Sequence, residues 1–191
     1  EVETHAFLEE RLLVNELSFT ANLHADLIEQ CSADEQANVH LANYYKGSGR
    51  FALTVEQHTA YTRRLDKIIG TITAMRTGEK CLVLGTGEFM YTPMYIAAQM
   101  GENVFFHSTT RSPIYAHKAS LICNKIMFKS PEYPDVTNYL YNISQGQYDD
   151  IVLIFERILD EEALSMLVGQ LQLLTKHVHV ITLGGNSYAK V

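Results

Sequence analysis

The sequence predicts an α/β fold, a Rossmann-like three-layer domain with a mostly parallel sheet, preceded by a helical N-terminal extension. After residue 78, short and continuously apolar segments alternate with segments of helical spacing. That pattern is typical of a parallel sheet covered by helices on both faces. Before residue 78, apolar residues recur at helical spacing instead. We therefore predict a mainly helical region over residues 1–77 and a Rossmann-like domain over residues 78–191.

The N-terminal region contains two predicted helices separated by a loop. In residues 6–31 the leucines recur at roughly helical spacing, although residues 13–20 are equally compatible with a short strand. Residues 46–50 (KGSGR) predict a loop, because glycine and serine neither pack nor hold a helix. The second helix, over residues 54–76, begins at a capping box formed by Thr54 and Gln57. Its apolar stripe is expected to face the core and consists of Tyr61, Leu65, Ile68, Ile69 and Ile72.

The second region alternates strand and helix. The predicted strands are 80–84, 103–107, 150–155 and 177–183, and the predicted helices are 93–100 and 160–174. Asp160 is the expected N-cap of the last helix. Parallel strands joined by right-handed crossovers bind ligands outside their carboxyl ends. The candidate site is therefore the set of residues that follow each strand, including residues 184–187 after the last one.

The composition excludes several classes of protein. The 191 residues are 47% hydrophobic with only 4 Pro and 11 Gly, so the chain is neither disordered nor collagen-like. No apolar run approaches the length of a membrane span, which predicts no membrane association through such a span. The formal charge of −7 argues against a nonspecific nucleic-acid binder, because such a protein needs a basic surface.

The cysteines and the first residue bear on where the chain works. Cys31, Cys81 and Cys123 show no metal-ligand spacing, and their odd number does not indicate a disulfide scaffold. We therefore expect a reducing, cytoplasmic location. The sequence starts at Glu1 without the pattern of a signal peptide, so we expect it to be a piece of a longer chain.

A glycine-rich turn follows the first predicted strand and leads towards a helix that has Pro93 in its first turn. The turn consists of Gly85, Thr86, Gly87 and Glu88. Backbone N–H groups at the start of a helix suit a phosphate or another anion. A tight turn that needs glycine for backbone reasons alone is an equally good interpretation. Glu88 can accept a hydrogen bond from a ribose hydroxyl, act as a base, or simply stabilise the helix dipole.

A dense group of polar side chains follows the second predicted strand. It consists of Thr109, Thr110, Arg111 and Ser112. Arg111 can contact a phosphate or carboxylate in bidentate fashion, and Pro113 is expected to begin the next helix. From residue 103 to residue 131 the chain has four basic residues and no acidic one. The alternative is that Ser112 only caps that helix and Arg111 pairs with a surface acid. We favour an anion site because both polar turns fall at the same edge of the sheet.

One glutamate and three histidines near the predicted strands are further candidates for catalysis or metal binding. Glu156 follows the third predicted strand, where general bases and ribose-binding acids are found, although a surface pair with Arg157 is equally compatible with its position. His107 is an acid–base candidate beside the anion donors, although a core histidine is the commoner role. His177 and His179 alternate along the last strand without a third ligand, so we predict no metal site. These residues do not identify a cofactor.

The run from Leu82 to Ile114 closely resembles the TRSP domain, which takes its name from the residues found here as Thr110-Arg111-Ser112-Pro113. Residues 139–142 and 150–156 are similar to the downstream part of that domain. The resemblance implies a domain that follows a phosphoribosyltransferase domain in bacterial gene clusters associated with tellurite resistance and stress. There it is expected to help make a nucleoside-like metabolite. The chain has no phosphoribosyltransferase signature of its own, so that activity is not predicted for it.

Three functions follow from these residues. The first is an enzyme, or part of one, that binds a phosphorylated sugar or nucleotide. The second is an S-adenosylmethionine-dependent methyltransferase, although the second strand is not followed by the acidic residue that usually binds the ribose of that cofactor. The third is a noncatalytic interaction module for the phosphoribosyltransferase. Its docking surface would be residues 1–75, in which eleven acidic residues outnumber six basic ones.

Overall fold

The computed structural model of the chain describes residues 53–183. The helix expected over residues 6–31, the loop expected at residues 46–50 and the polar residues 184–187 lie outside this range. The elements in chain order are α1 (Val55–Ala74), β1 (Cys81–Gly85), α2 (Tyr91–Gln99), β2 (Val104–Ser108), β3 (Lys125–Lys129), β4 (Thr137–Tyr141), β5 (Asp150–Phe155), α3 (Glu161–Gln172) and β6 (His177–Thr182).

Four of the strands form one parallel sheet in the order β2-β1-β5-β6. Because every pair is parallel, all four strands end at one edge, here called the carboxyl edge, and start at the opposite amino edge. The chain passes from β1 to β2 on one side and later returns to β5 on the other side of β1. The α/β fold with a mostly parallel sheet is thus confirmed. The reversal of direction between β1 and β5 is the switch point where open α/β sheets bind ligands.

Helices α1 and α2 cover one face of the sheet. All five residues of the predicted apolar stripe of α1 are buried, and they pack with the β1 residues Cys81 and Val83 and with Ile96 of α2. Helix α1 starts at the predicted capping box, in which Thr54 Oγ1 accepts from the backbone N–H of Gln57. The described part of the N-terminal region therefore shares a core with the sheet, while the boundary at residues 77 and 78 remains a prediction. No helix within residues 53–183 combines the length and apolarity needed to span a bilayer.

The opposite face is covered by α3 and by an antiparallel hairpin of β3 and β4. Asp160 caps α3 as predicted, since its carboxylate accepts from the backbone N–H of Ala163 at 2.9 Å. The helix predicted to begin at Pro113 is wrong, because residues 113–124 contain no helix and lead into β3. Two alternating segments form the hairpin instead, and its residues Phe128 and Leu140 are buried against the sheet.

Candidate ligand site at the carboxyl edge

The glycine turn after β1 is held tightly to the end of β2. At Gly85 an added Cβ would lie 2.9 Å from the Phe89 carbonyl oxygen, and Gly87 has a φ of +55° that favours glycine. The Gly87 N–H donates to Thr109 Oγ1 at 2.9 Å, and the Thr109 N–H donates to the Gly85 carbonyl at 3.0 Å. Both glycines thus have a backbone reason to be here. The turn leads into α2, whose first turn has no side-chain cap.

The polar loop after β2 is attached to the hairpin. Thr110 and Tyr139 exchange two backbone hydrogen bonds, and Thr110 Oγ1 accepts from the Ser112 N–H at 3.1 Å. The hydroxyl of Tyr141 donates to the Ser112 carbonyl at 2.7 Å and accepts from the Ile114 N–H at 2.6 Å. Ser112 therefore takes part in a turn and caps no helix. The loop presents the exposed Arg111 at the carboxyl edge.

The turn between β3 and β4, residues 130–136, carries residues to the switch point. The buried Ser130 Oγ accepts from the backbone N–H groups of Glu132 and Tyr133 at 3.2 Å each. The Pro131 carbonyl accepts from the Leu159 N–H at 2.8 Å, which fixes the turn to the segment after β5. The hairpin thereby brings a carboxylate and an aromatic ring between the ends of β1 and β5.

Glu132 links the two central strands at the carboxyl edge. Its side chain is only 3% exposed, and its Oε1 accepts from the Glu156 N–H at 3.2 Å. The Thr86 hydroxyl and the Arg157 N–H also donate to this carboxylate. The pKa of Glu132 is raised from 4.5 to about 7: burial is the main cause and the Glu156 charge adds to it, while the three donors oppose the rise. Glu132 can therefore exist in both protonation states near neutral pH.

Two guanidinium groups meet at one aromatic ring beside this carboxylate. The Cζ of Arg111 lies 4.6 Å from the centroid of the Tyr133 ring, and the Cζ of Arg157 lies 5.2 Å from it. Both contacts have the geometry of a cation–π interaction. The ring of Tyr133 thus contacts both cations, and its neighbours in the chain and in space include Glu132 and Glu156, so the carboxyl edge combines two basic and two acidic side chains.

The candidate residues are distributed unevenly around this site. Two hydrogen bonds connect Thr109 to the glycine turn, one with Gly85 and one with Gly87. The Glu132 carboxylate accepts both from the Thr86 hydroxyl and from the Glu156 N–H. Glu156 is only 1% exposed, so its side chain is buried. Glu88 is exposed before α2. His107 is half-buried within β2, and its Nδ1 lies 3.1 Å from the Ser108 carbonyl oxygen.

A different buried acid occupies the amino edge. Asp150, the first residue of β5, is fully buried and accepts from Thr77, from Gly78 and from His179 Nε2 at 3.1 Å. His179 is thus bound to a carboxylate at the edge opposite the candidate site. Within the described part of the chain, no group of three or more His, Cys, Asp or Glu side chains is arranged to hold a metal ion.

Glu132 is the site residue that the sequence analysis missed. It lies with Tyr133 in the segment Ser-Pro-Glu-Tyr-Pro-Asp over residues 130–135, whose composition is typical of a turn. Alternating segments flank it at residues 125–129 and 137–141, so a hairpin was recognisable. That the turn inserts at the switch point depends on packing between distant segments, which no local pattern reports.

The comparisons with known proteins bear on the family alone. Residues 47–171 match the family model described as "TRSP domain C terminus to PRTase_2", and the matched range is well over half of the chain. Comparison with curated proteins and with solved structures gave no match. The matched range contains both polar loops, the hairpin and the ends of β1, β2 and β5. The chain belongs to the TRSP domain family, whose description associates it with a phosphoribosyltransferase domain.

Proposed function

We propose that this TRSP domain binds a phosphorylated sugar or nucleotide at the carboxyl edge of its sheet. In this proposal it works in the cytoplasm of a bacterium with a phosphoribosyltransferase, and the two contribute to a nucleoside-like metabolite linked to tellurite resistance and stress. The observation that carries the proposal is the meeting of Arg111 and Arg157 at the Tyr133 ring beside the switch point. Two guanidinium groups at one ring favour a ligand with two or more negative charges, such as a phosphate.

The surroundings of Arg111 support a phosphate as the anion. The segment from residue 103 to residue 131, which carries Arg111, has four basic residues and no acidic one in a chain whose total charge is −7. The uncapped first turn of α2 offers backbone N–H groups of the kind that bind phosphate. The ribose or base of the ligand would then extend towards Tyr133 or Tyr139, which can stack on a planar group.

Glu156, Glu88 and His107 are the proposed groups for handling a substrate hydroxyl or proton. Glu156 is favoured among them because it is buried next to Glu132, where a carboxylate interacts strongly with its neighbours. Glu88 is exposed and His107 is half-buried inside a strand. In this proposal Arg111, Thr109, Thr110 and Ser112, with the turn at Gly85, Thr86 and Gly87, surround the phosphate.

Titration calorimetry with the 191-residue chain tests the proposal. The ligands are ribose 5-phosphate, phosphoribosyl pyrophosphate, nucleoside monophosphates and S-adenosylmethionine. We expect a phosphorylated ligand to bind, and Arg111→Ala to weaken that binding at least tenfold, since a charge-assisted hydrogen bond contributes about 1.5–3 kcal/mol. The matched control is Lys118→Ala, which removes an exposed cation from the same segment and should leave the affinity within twofold.

The other outcomes distinguish the alternatives. Equal affinity in the wild type and Arg111→Ala contradicts the phosphate site. Binding of S-adenosylmethionine alone identifies a methyltransferase. If none of the ligands binds, the interaction module becomes the better explanation, and its test is direct association with the phosphoribosyltransferase domain.

A further inference from the structure

We infer that Glu132 is a positioning residue that lets the site accept a dianionic phosphate group when its side chain is a neutral carboxylic acid, so that binding takes up a proton. The inference rests on the proposed function and adds the charge state in which the site binds. Glu132 is 3% exposed and lies behind the groups that would meet the ligand. It would therefore act on the ligand through Thr86, Glu156 and Arg157 and not by direct contact.

Glu132 lies between three chain segments. Its carboxyl group receives the Thr86 hydroxyl from the glycine turn and the backbone N–H groups of Glu156 and Arg157 from the end of β5. The hairpin turn supplies Glu132 itself, and the next residue, Tyr133, contacts both guanidinium groups. A change at Glu132 is thus transmitted to the glycine turn and to both cations.

The charges around Glu132 determine which ligand charge the site can accept. The charge that acts directly on Glu132 is that of Glu156, which is 1% exposed, and the nearest cations are the guanidinium groups of Arg157 and Arg111 at the ring of the next residue, Tyr133. With both glutamates ionised these four groups sum to zero. A dianionic ligand would then leave two uncompensated negative charges near a buried site, which is unfavourable. Protonation of one carboxylate halves that excess.

The carboxyl group of Glu132 has hydrogen-bond partners both when it is ionised and when it is protonated. When Glu132 is ionised, the Thr86 hydroxyl donates to it. When Glu132 is protonated, its O–H can donate to Thr86 Oγ1. The Thr86 hydroxyl then donates to the Ile154 carbonyl oxygen, which lies 3.5 Å from Thr86 Oγ1. The backbone N–H groups of Glu156 and Arg157 remain donors in both states. Burial and the Glu156 charge bring the pKa of Glu132 to about 7, so the exchange occurs near neutral pH.

The test is the pH dependence of anion affinity in the wild type and in Glu132→Gln. The probes are sulfate, which stays dianionic throughout the range, and ribose 5-phosphate, whose own ionisation is the same for both proteins. For the wild type we expect the sulfate affinity to fall about tenfold between pH 6 and pH 8, because binding requires a proton that is lost near pH 7. Glu132→Gln, which keeps a neutral side chain of the same shape, should bind with nearly constant affinity.

A second measurement uses the wild type alone and does not depend on the folding of the variant. The carboxyl ¹³C signal of Glu132 is followed during a pH titration with and without saturating sulfate. We expect sulfate to move the midpoint upward by more than one pH unit, since linkage is reciprocal. A merely structural role for Glu132 would leave the midpoint unchanged.

The outcomes separate this inference from the proposed function. If a probe binds, but the pH dependence is the same in Glu132→Gln or the Glu132 midpoint ignores sulfate, the inference is wrong and the phosphate site stands. If neither probe binds at any pH, the proposed function fails and this inference fails with it. Loss of the pH dependence in Glu132→Gln together with the upward midpoint supports it.

Discussion

Asp150 and Glu132 are both buried acids of this domain, but they lie at opposite edges of the sheet and have opposite pKa shifts. Burial opposes ionisation of Asp150, yet donors from His179, Gly78 and Thr77 outweigh it and lower its pKa. For Glu132 burial dominates, and the Glu156 charge adds to it, so its pKa rises to about 7. Burial disfavours the charge of both residues. Hydrogen bonds outweigh this effect for Asp150 at the amino edge, but they do not outweigh it for Glu132 at the carboxyl edge.

The difference assigns separate roles to the two edges. At the amino edge the charged form of Asp150 stabilises the start of β5 and the loop at Thr77 and Gly78. At the carboxyl edge Glu132 is held in an environment that disfavours its charge, which is characteristic of functional sites. We expect substitutions at the amino edge to lower the free energy of unfolding, and substitutions at the carboxyl edge to alter ligand binding and its pH dependence.

Asp150→Asn is expected to have the largest effect. The substitution removes the charge that accepts from Thr77, Gly78 and His179, and it presents an amide N–H₂ to the same donors. We expect the free energy of unfolding at pH 7 to fall by about 3 kcal/mol, measured by urea denaturation. Because the pKa of Asp150 is lowered by folding, its stabilisation is present above the ordinary carboxyl pKa and is lost as the pH falls below it.

Two comparisons sharpen that prediction. The exposed Glu102→Gln at the same side of the molecule should change the free energy of unfolding by less than about 0.5 kcal/mol. The destabilisation of Asp150→Asn relative to the wild type should shrink as the pH is lowered towards 3. If Asp150→Asn changed the free energy of unfolding as little as Glu102→Gln, the proposed structural role of the amino edge would be wrong.

Glu132→Gln is expected to have the opposite sign at high pH. Because folding raises the pKa of Glu132 from 4.5 to about 7, the wild type loses stability as the pH rises between these two values. The glutamine variant does not titrate, so its stability relative to the wild type should increase by roughly 2 kcal/mol between pH 5 and pH 8. Thermal and urea unfolding at both pH values measure this. A difference that stays constant with pH would show that Glu132 titrates normally in the folded protein.

The sequence predicted the sheet and the helices α1, α2 and α3, but it did not predict the hairpin of β3 and β4 that covers the second face together with α3. The apolar stripe of α1, the bounds of β5 and the Asp160 cap all follow from local spacing, and the structure contains them as predicted. The hairpin was not predicted, and a helix was expected after Pro113 instead. Both covers bury apolar residues on the sheet, so the apolar pattern of the strands alone does not distinguish a helix from a hairpin.

The candidate site was predictable at the ends of the strands and not between them. Gly85, Thr109, Arg111 and Glu156 were named as candidates because each follows a predicted strand of a parallel sheet. Glu132 follows no strand of that sheet. The donors to its carboxylate and the Glu156 charge that raises its pKa come from residues at least 24 positions away in the chain, and such effects appear only when the segments are packed together.

Thr109→Val tests how the two polar loops are joined. The variant keeps the shape of the buried side chain but removes the oxygen that accepts from the Gly87 N–H at 2.9 Å. We expect a loss of about 1.5 kcal/mol in the free energy of unfolding, because a partly buried N–H is left without its acceptor. Affinity for ribose 5-phosphate should fall several-fold in calorimetry. Unchanged affinity would mean that the glycine turn does not need the second loop to bind an anion.

Tyr141→Phe is the smallest expected change in stability and isolates the position of Arg111. The Tyr141 hydroxyl donates to the Ser112 carbonyl and accepts from the Ile114 N–H, so it fixes the loop on which Arg111 is carried. Both partners belong to exposed residues that water can reach, and we therefore expect only about 1 kcal/mol of destabilisation. The affinity for ribose 5-phosphate should fall three- to fivefold, because the loop would have to be ordered on binding. Tyr115→Phe, which alters a 62% exposed tyrosine of the same loop, should change neither quantity. A binding loss in Tyr141→Phe that exceeds its loss in stability would establish that the hairpin serves the carboxyl edge by holding its cation in place, whereas equal losses would make the hairpin one more cover of the core.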